Sequence, residues 1–227
     1  MTDKKNRQKQ NEPNSNNPYA DLGATTKQGE AIAESSMEFV RTVVGDETPE
    51  DRIRQKSVHS TGDIEFQHFM RFEGDPSPIE SAVEAINSES KIVTDITMAK
   101  AGITSRGHSC EVVKALGHGK ELAEETDMTR TAAGVVGTKD QIDGGIFVVG
   151  NAPTAAFKLC ELVEEEGIEP ACVVATPVGF VNAEESRQRV RQTDVPSITN
   201  VSTRGGSGLA AALTNELIHI ASDRRKE

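Results

Sequence analysis

The feature that most constrains the fold is a strand, a short loop and a helix that recur three times in the second half of the chain. Short runs rich in β-branched and apolar residues occupy residues 146–150, 171–176 and 197–202. Each run is followed by a loop containing Gly, Pro or Asn and then by a helical pattern. This alternation is typical of parallel βαβ units with right-handed crossovers. Nearly continuous apolar strands also predict a sheet covered by helices on both faces.

The first half of the chain predicts an α-rich flank followed by two further strands. Residues 91–95 are predicted as the first strand and residues 110–116 as a second. Four helical segments precede them, beginning at Thr25 or Thr26, at Thr48, after Asp63 and at Ser77. The sequence therefore predicts a three-layer αβα fold with a mostly parallel sheet of about five strands and an α-rich N-terminal flank. Residues 1–18 are almost wholly polar and are predicted to be a disordered tail, which leaves residues 19–227 as a single domain.

Three of the N-terminal helices carry specific expectations. In the first, an inward-facing stripe is predicted from helical spacing, and a polar residue, Ser36, falls on it. That hydroxyl either bonds to its own helix or faces a ligand. The stripe is Ile32, Ser36, Phe39, Val40 and Val43. The third helix is predicted to contain Phe66, Phe69, Met70 and Phe72, and Ser77 is predicted to open the fourth with a capping box.

Composition excludes several classes of protein. There are 36 acidic and 25 basic residues, giving a formal charge of -11, which argues against nucleic-acid binding and suits a salt-rich cytoplasm. No apolar run is long enough to cross a membrane, and no secretory signal is evident, so a cytoplasmic protein is expected. Cys110, Cys160 and Cys172 lack CxxC spacing and are predicted to be buried free thiols.

The loops that leave parallel strands meet at one edge of the sheet, where such folds bind ligands. Gly permits close backbone approach, helix N-termini favour carboxylate or phosphate, and Arg204 adds a forked cation. Together these features predict an anion site, with Arg130 as a second basic candidate. The competing interpretation is that Gly, Pro, Asn and Ser serve turn geometry alone. The loop residues concerned are 94–95, 150–153, 176–180 and 203–207.

His59 is the candidate for proton transfer. It stands between an apolar residue and a Ser-Thr-Gly turn, and is predicted to lie on a loop at the start of a helix. Histidine is the side chain whose ordinary pKa permits proton exchange near neutral pH. A structural role is the alternative. Nucleotide fingerprints, GxSxG and histidine spacings typical of metal sites are all absent, so no metal site is predicted.

Six motifs, taken together and in order from about Tyr19 to Ala221, resemble the precorrin-8X (cobalt-precorrin-8) methylmutases of cobalamin biosynthesis. They are Val-His-Ser-Thr-Gly-Asp at 58–63, Ile-Val-Thr-Asp-Ile-Thr-Met at 92–98 with Ala-Gly-Ile at 101–103, Thr-Arg-Thr-Ala-Ala at 129–133, Gly-Asn-Ala-Pro-Thr-Ala at 150–155, Pro-Val-Gly-Phe-Val-Asn-Ala-Glu-Glu-Ser at 177–186 and Arg-Gly-Gly-Ser at 204–207.

The resemblance implies an α/β homodimer that moves a methyl group from C-11 to C-12 of a corrinoid ring, giving hydrogenobyrinate or cobyrinate. The family's acid/base histidine falls on His59, its substrate-contact serine on Ser36 and its central arginine on Arg130. Lys56 stands where the family usually has Arg, so the charge is kept and the planar fork is lost. Other enzymes of cobalamin biosynthesis are candidate partners. No cofactor is expected, because any cobalt arrives within the substrate.

The chemistry of such a substrate, a polyanion with an apolar disc, suits the residues already singled out. Lys56, Arg130 and Arg204 match the carboxylate arms, and Met98, Val178 and Phe180 match the disc. The predicted substrate-binding residues are Ser36, Lys56, Thr61, Thr94, Asp95, Met98, Arg130, Asn151, Ala152, Pro153, Val178, Phe180, Arg204, Gly205, Gly206 and Ser207.

Two other classes of function stay open from the sequence. A corrinoid carrier would have the same pocket without turnover, and His59 would be dispensable for its binding. An unrelated α/β enzyme acting on a phosphorylated metabolite would bind a simple phosphate ester at the Arg204 loop and ignore corrinoids.

Overall fold

The computed structural model describes residues 26–226, which divide into two compact units between Gly45 and Asp46. In the first unit the described residues form helix α1 (Lys27–Val44), whose N-cap Thr26 accepts a hydrogen bond from the Gly29 amide at 3.1 Å. The predicted tail, residues 1–18, lies outside the described residues.

The inward stripe predicted for α1 is wrong at most of its positions. Ile32 and Phe39 are 64% and 55% exposed, whereas the buried residues are Ala33, Met37 and Val40. The predicted and the observed buried residues both have helical spacing. The prediction chose the helix face with the larger apolar side chains, and that face is exposed. Ser36 is half-buried.

The second unit is built around a six-stranded sheet with the order β1-β7-β6-β5-β2-β3. All neighbouring strands are parallel except β1, which runs antiparallel to β7 at one edge. The strands of this sheet are β1 (Met70–Glu73), β2 (Ile92–Thr94), β3 (Val112–Lys114), β5 (Ile146–Val149), β6 (Cys172–Ala175) and β7 (Ser197–Asn200). A further short strand, β4 (Leu116–Gly119), is not one of the six.

The helices of this unit connect the strands. The main helices begin where the sequence predicts them. They are α2 (Pro49–Thr61), a 3-10 helix (Ile64–Phe69), α3 (Pro78–Asn87), α4 (Thr97–Gly102), α5 (Lys120–Glu125), α6 (Arg130–Gly137), α7 (Lys139–Ile142), α8 (Pro153–Glu166), α9 (Ala183–Arg191) and α10 (Ser207–Arg224). Thr48 and Asp51 form a capping box at the start of α2. The capping box predicted at Ser77 is wrong, because that side chain makes no cap hydrogen bond.

Alternate residues of the central strands enter two separate cores, one on each face of the sheet. In β5, Ile146 and Val148 pack with residues of α3 and α10, while Phe147 and Val149 pack with residues of α8. All four are fully buried. Burial of each such side chain stabilises the fold by about 1.5–3 kcal/mol. The three-layer prediction is confirmed.

The third predicted helix is wrong over its second half. The 3-10 helix ends at Phe69, and Met70–Glu73 forms strand β1, in which Met70 pairs with Asn200 and Phe72 with Ile198. The alternation of Met70 and Phe72 has the period of a strand, but the preceding Phe66 and Phe69 extend it into an apparent helical spacing. The sheet therefore gains a sixth strand.

The three cysteines are buried free thiols, as predicted. Burial raises the pKa of Cys160 and of Cys172 to about 12, so neither thiol is a nucleophile at neutral pH. Within residues 26–226, no helix is both long and apolar enough to span a bilayer.

Candidate functional site

Three loops at the carboxyl edge of the sheet pack closely against one another, and glycine residues permit this close approach. A Cβ on Gly150, after β5, would lie 2.5 Å from the Cα of Ser207 at the start of α10. A Cβ on Gly205 would lie 2.3 Å from the carbonyl oxygen of Thr176, after β6. The Gly206 amide donates to that same carbonyl at 2.6 Å. The structure thus brings together the loops that the sequence predicted to converge.

Asp95, a predicted substrate contact, is fully buried and joins β2 to the loop after β5. Its Oδ2 accepts hydrogen bonds from the Asn151 and Ala152 amides at 2.8 and 2.9 Å, and its Oδ1 accepts from the Ile96 amide at 2.8 Å. Burial raises the pKa of Asp95, while these amides oppose the shift. The amides before α8 are thus used by a carboxylate of the chain itself.

The neighbouring Thr94 is also internal. It is fully buried, and its hydroxyl donates to the carbonyls of Ile96 and Val113, both at 3.3 Å. Thr94 therefore fixes the end of β2 and the start of α4, and its contacts in this structure are those of a structural residue. Pro153 opens α8 at its first position, where its missing N–H costs no hydrogen bond.

Arg187, which the sequence analysis missed, ties the remaining loops together. It is fully buried in α9 and donates to the carbonyls of Pro177, Ser202 and Arg204 and to the side chain of Asn200. A sequence signal did exist. Ala183, Ser186 and Val190 form a buried helical stripe, and Arg187 falls within it. An arginine on such a stripe must have internal acceptors, because burying it unpaired is costly.

Arg204 belongs to the loop between β7 and α10, and its guanidinium group lies against two aromatic rings. Its guanidinium carbon is 4.8 Å from the ring centroid of Phe69 and 5.5 Å from that of Phe66, and it forms an ion pair with Asp63. The side chain is still 49% exposed. Stacking on two rings restricts its rotamers, so the guanidinium is held in place before any ligand binds.

A cavity of about 450 Å³ adjoins Arg204. It brings Thr61, Arg204 and Gly205 together, three of the residues predicted to bind substrate. Asp63 and Phe66 contribute its acidic and aromatic parts. The full lining is Ser60, Thr61, Asp63, Phe66, Arg204, Gly205, Gly208 and Leu209.

His59 lies in the last turn of α2, not on a loop as predicted, because the helix continues to Thr61 and ends at Gly62 in a left-handed conformation. It directly precedes Ser60 and Thr61 of the cavity. Those two hydroxyls donate to the carbonyl of Ser57 at 3.3 and 2.7 Å. Burial, followed by the charge of Lys56, lowers the pKa of His59. At neutral pH the imidazole is therefore mainly neutral.

Lys56, predicted to meet a carboxylate arm of the substrate, is buried and forms an ion pair with Glu216 of α10 at 3.3 Å. Its ammonium group is thus held inside the protein. Glu216 is a second residue that the sequence analysis did not single out, because it lies in α10 far from the motifs.

The other predicted contacts are on the surface or in the loops. Met98, Val178 and Phe180 are 68%, 49% and 92% exposed, as apolar side chains that meet a ligand or a second surface would be. Arg130 is exposed at the start of α6, and the Ser207 side chain is buried at the start of α10. Gly206 has φ of 120°, a conformation that favours glycine.

A larger cavity, of about 700 Å³, lies at the opposite edge of the sheet, where β5, β6 and β7 begin. Its charged lining residues are Glu84, Glu169 and Asp194. Three carboxylates would repel an anionic ligand, so the smaller cavity beside Arg204 is the better candidate. No group of three or more His, Cys, Asp or Glu side chains suited to a metal ion occurs among residues 26–226.

Comparison with known proteins identifies the family. The model of the precorrin-8X methylmutase family matches residues 31–220, which is most of the chain. The chain belongs to the precorrin-8X methylmutase family. It is therefore an isomerase, a methylmutase of cobalamin biosynthesis. This family membership removes the alternative of an unrelated α/β enzyme acting on a phosphorylated metabolite.

Individual methylmutases resemble the chain over nearly its whole length. The cobalt-precorrin-8 methylmutase of Methanocaldococcus jannaschii is 38% identical over 213 residues, which cover 90% of this chain and 100% of the relative. That of Methanothermobacter thermautotrophicus is 36% identical, with coverage of 89% and 98%. The crystal structure of the precorrin-8X methylmutase from Thermus thermophilus superposes with a TM-score of 0.77 and 32% identity, covering 86% of this chain and 97% of the other.

Proposed function

We propose that this methylmutase moves the methyl group of cobalt-precorrin-8 from C-11 to C-12, giving cobyrinate, with His59 as the acid/base. The observation that carries the proposal is the position of His59 in the last turn of α2, directly before Ser60 and Thr61, which line the cavity beside Arg204. A titratable imidazole that directly precedes two lining residues of a cavity containing an arginine suits a substrate that is a polyanion with a conjugated ring.

Binding is assigned to charges and apolar surfaces on the carboxyl edge of the sheet. The stacked guanidinium of Arg204 would hold a carboxylate arm, in exchange for or beside Asp63. Arg130 and the exposed Met98, Val178 and Phe180 would meet other arms and the disc. Lys56 would act from inside the protein through its charge, because its ammonium is paired with Glu216.

The methyl shift requires the protein to position the substrate and to polarise its conjugated ring. A methyl shift within one molecule transfers no electrons to or from a redox cofactor. A group that hydrogen-bonds or protonates the conjugated ring can lower the barrier, a contribution typically worth about 10²–10⁴-fold. Where cobalt fills the ring nitrogens, His59 would act at a ring carbon or through a hydrogen bond. The lowered pKa of His59 favours a neutral imidazole before substrate binds.

The cobalt form of the substrate is proposed because of the relatives. Several of the matching enzymes, including the two archaeal ones with 38% and 36% identity, are named cobalt-precorrin-8 methylmutases. The precorrin-8X methylmutase of Pseudomonas aeruginosa is 30% identical. The greater similarity to the two archaeal enzymes supports cobalt-precorrin-8. The acidic composition agrees weakly, since it suits a salt-rich cytoplasm.

The test is direct conversion. Purified protein is incubated separately with cobalt-precorrin-8 and with metal-free precorrin-8, the visible spectrum is followed, and NMR of the methyl groups identifies the product. We expect the methyl at C-12 and faster turnover of the cobalt form. A spectral change on binding with the methyl still at C-11 would mean a corrinoid carrier. Faster turnover of the metal-free form would reverse the proposed substrate preference.

A further inference from the structure

A cluster of charges joins α2 to α10, and its central pair, Lys56 and Glu216, is buried. Oε1 of Glu216 accepts a hydrogen bond from Nε of Arg52 at 2.8 Å, while Oε2 lies 3.3 Å from Lys56 Nζ and 3.5 Å from His219 Nδ1. Asp223 pairs with the far nitrogen of Arg52 at 3.1 Å. Glu216 is thus the centre of the cluster, with three basic neighbours.

The two oxygens of Glu216 have separate partners. Arg52 forms ion pairs with Oε1 of Glu216 and with the carboxylate of Asp223, whereas Lys56 forms its ion pair with Oε2 of Glu216. Within residues 26–226, Glu216 is the carboxylate that holds Lys56. Burial would raise the pKa of Glu216, but the hydrogen bond with His219 and the charges of Lys56 and Arg52 lower it to about 2. Glu216 is therefore a permanent anion at working pH.

Lys56 in turn lies one helical turn before His59 on α2, at the spacing where side chains are neighbours. Burial of the imidazole is the larger cause that lowers the pKa of His59, and the charge of Lys56 is the second. Beyond the end of α2 lies the Asp63–Arg204 pair. The charged or titratable side chains on the elements packed against α2 are Glu216, His219, Asp223 and Arg224 of α10, Glu65 and His68 of the 3-10 helix, and Arg71 and Glu73 of β1.

We propose that Glu216 is a positioning residue for His59 that acts through Lys56. Its carboxylate keeps the Lys56 ammonium buried and charged one turn from the imidazole, so that His59 is neutral before substrate binds. The inference rests on the proposed role of His59 as acid/base and adds a residue that contributes to its protonation state.

Removal of the Glu216 charge is expected to raise the pKa of His59. A buried ammonium without a counter-charge either loses its proton or moves toward solvent. Both outcomes take positive charge away from His59, so its pKa rises. Substitution of Lys56 by Met removes the same charge and should have the same effect. In the double variant Glu216 has no Lys56 to act on, so no additional shift is expected.

The experiment is an NMR titration of histidine-labelled, full-length protein without substrate, with the His59 signal assigned from its loss in His59→Asn. We expect Glu216→Gln and Lys56→Met each to raise the pKa of His59, and Glu216→Gln/Lys56→Met to match Lys56→Met. Asp223→Asn is the matched control on the same helix, because it weakens the contacts with Arg52 and Lys226 and leaves the Glu216–Lys56 pair intact, and it should leave the pKa of His59 unchanged. The acid limb of kcat/KM should move to higher pH in the two single variants, with a smaller loss of rate than the about hundredfold loss expected without a general acid/base.

An unchanged or lowered pKa of His59 in Glu216→Gln, or an extra shift in the double variant, would overturn the proposal. If Glu216→Gln does not fold, Lys56→Met decides alone, since an unchanged pKa there removes the link on which Glu216 depends. Full turnover by His59→Ala would instead refute the proposed role of His59, and the titration would still report the electrostatic coupling separately.

Discussion

At the scale of single residues, side chains that look alike in the sequence divide into those whose polar atoms are used inside the fold and those that are exposed beside a cavity. Asp95 follows a strand as a ligand-binding carboxylate would, yet its acceptors are used by three backbone amides. Arg204 is half-exposed beside a cavity. The sequence supplied the chemistry of both residues. It could not supply their partners, because those come from segments far along the chain.

Arg204 should contribute to binding more than to folding. We expect Arg204→Ala to weaken corrinoid binding by about tenfold or more, because hydrogen bonds between charged groups contribute about 1.5–3 kcal/mol. A titration followed in the visible spectrum measures this. The matched control is Arg189→Ala, which removes an arginine paired with Glu164 on the surface of α9, and its affinity should equal that of the parent. Equal affinities in the two variants would remove Arg204 from the site.

At the scale of elements, the sequence predicted the parallel strands well and the antiparallel edge poorly. The runs at 146–150 and 171–176 are apolar throughout, which only a doubly covered strand explains. Strand β1 has four residues, and its pairing with β7 depends on residues more than a hundred positions away. A short edge strand of this kind has no local signal that separates it from the helical spacing of its neighbours.

Glycine at position 150 is required by the packing of one loop on another. Gly150→Ala places a Cβ against the backbone of Ser207, so the start of α10 must move, and we expect a loss of about 1–3 kcal/mol in the free energy of unfolding. Urea denaturation measures it. Gly208→Ala is the control, because no atom lies within 4 Å of its Cβ position and alanine favours helix, so it should be neutral or stabilising by up to about 1 kcal/mol. Similar losses in both variants would contradict this account of the loop packing.

The ion pairs between α2 and α10 should make stability depend on acid pH. Because the folded pKa of Glu216 is about 2, below its ordinary 4.5, its contribution is complete above pH 4.5 and is lost as pH falls toward 2. This shift corresponds to a contribution on the order of 3 kcal/mol. Denaturation at several pH values should show that Glu216→Gln is less stable than the parent at pH 7 and that the gap closes at low pH. A gap that persists at pH 2 would mean that packing, not charge, explains the loss.

At the scale of the whole molecule, a large flat substrate needs more covering surface than one cavity of about 450 Å³ provides. Exposed Phe180 and Val181, at 92% and 77%, lie near that edge and would suit a second subunit. We expect a homodimer, as the family resemblance implies, and we expect Phe180→Asp to weaken it. Sedimentation at micromolar protein in high salt measures both. A monomeric parent protein would contradict the prediction, and Gln188→Asp, an exposed change on α9, serves as the control.

The central claim is that His59 performs the acid/base step of the methyl shift. A group that acts in the transition state should affect turnover more than binding. The decisive measurement is the rate of methyl migration by His59→Ala beside its affinity for the corrinoid, with His59→Asn as the variant that hydrogen-bonds without titrating. His68→Ala, an exposed histidine on the 3-10 helix, is the control. We predict a loss of at least about a hundredfold in rate for both His59 variants with binding retained. A His59→Ala rate close to that of the parent and of His68→Ala would contradict the account.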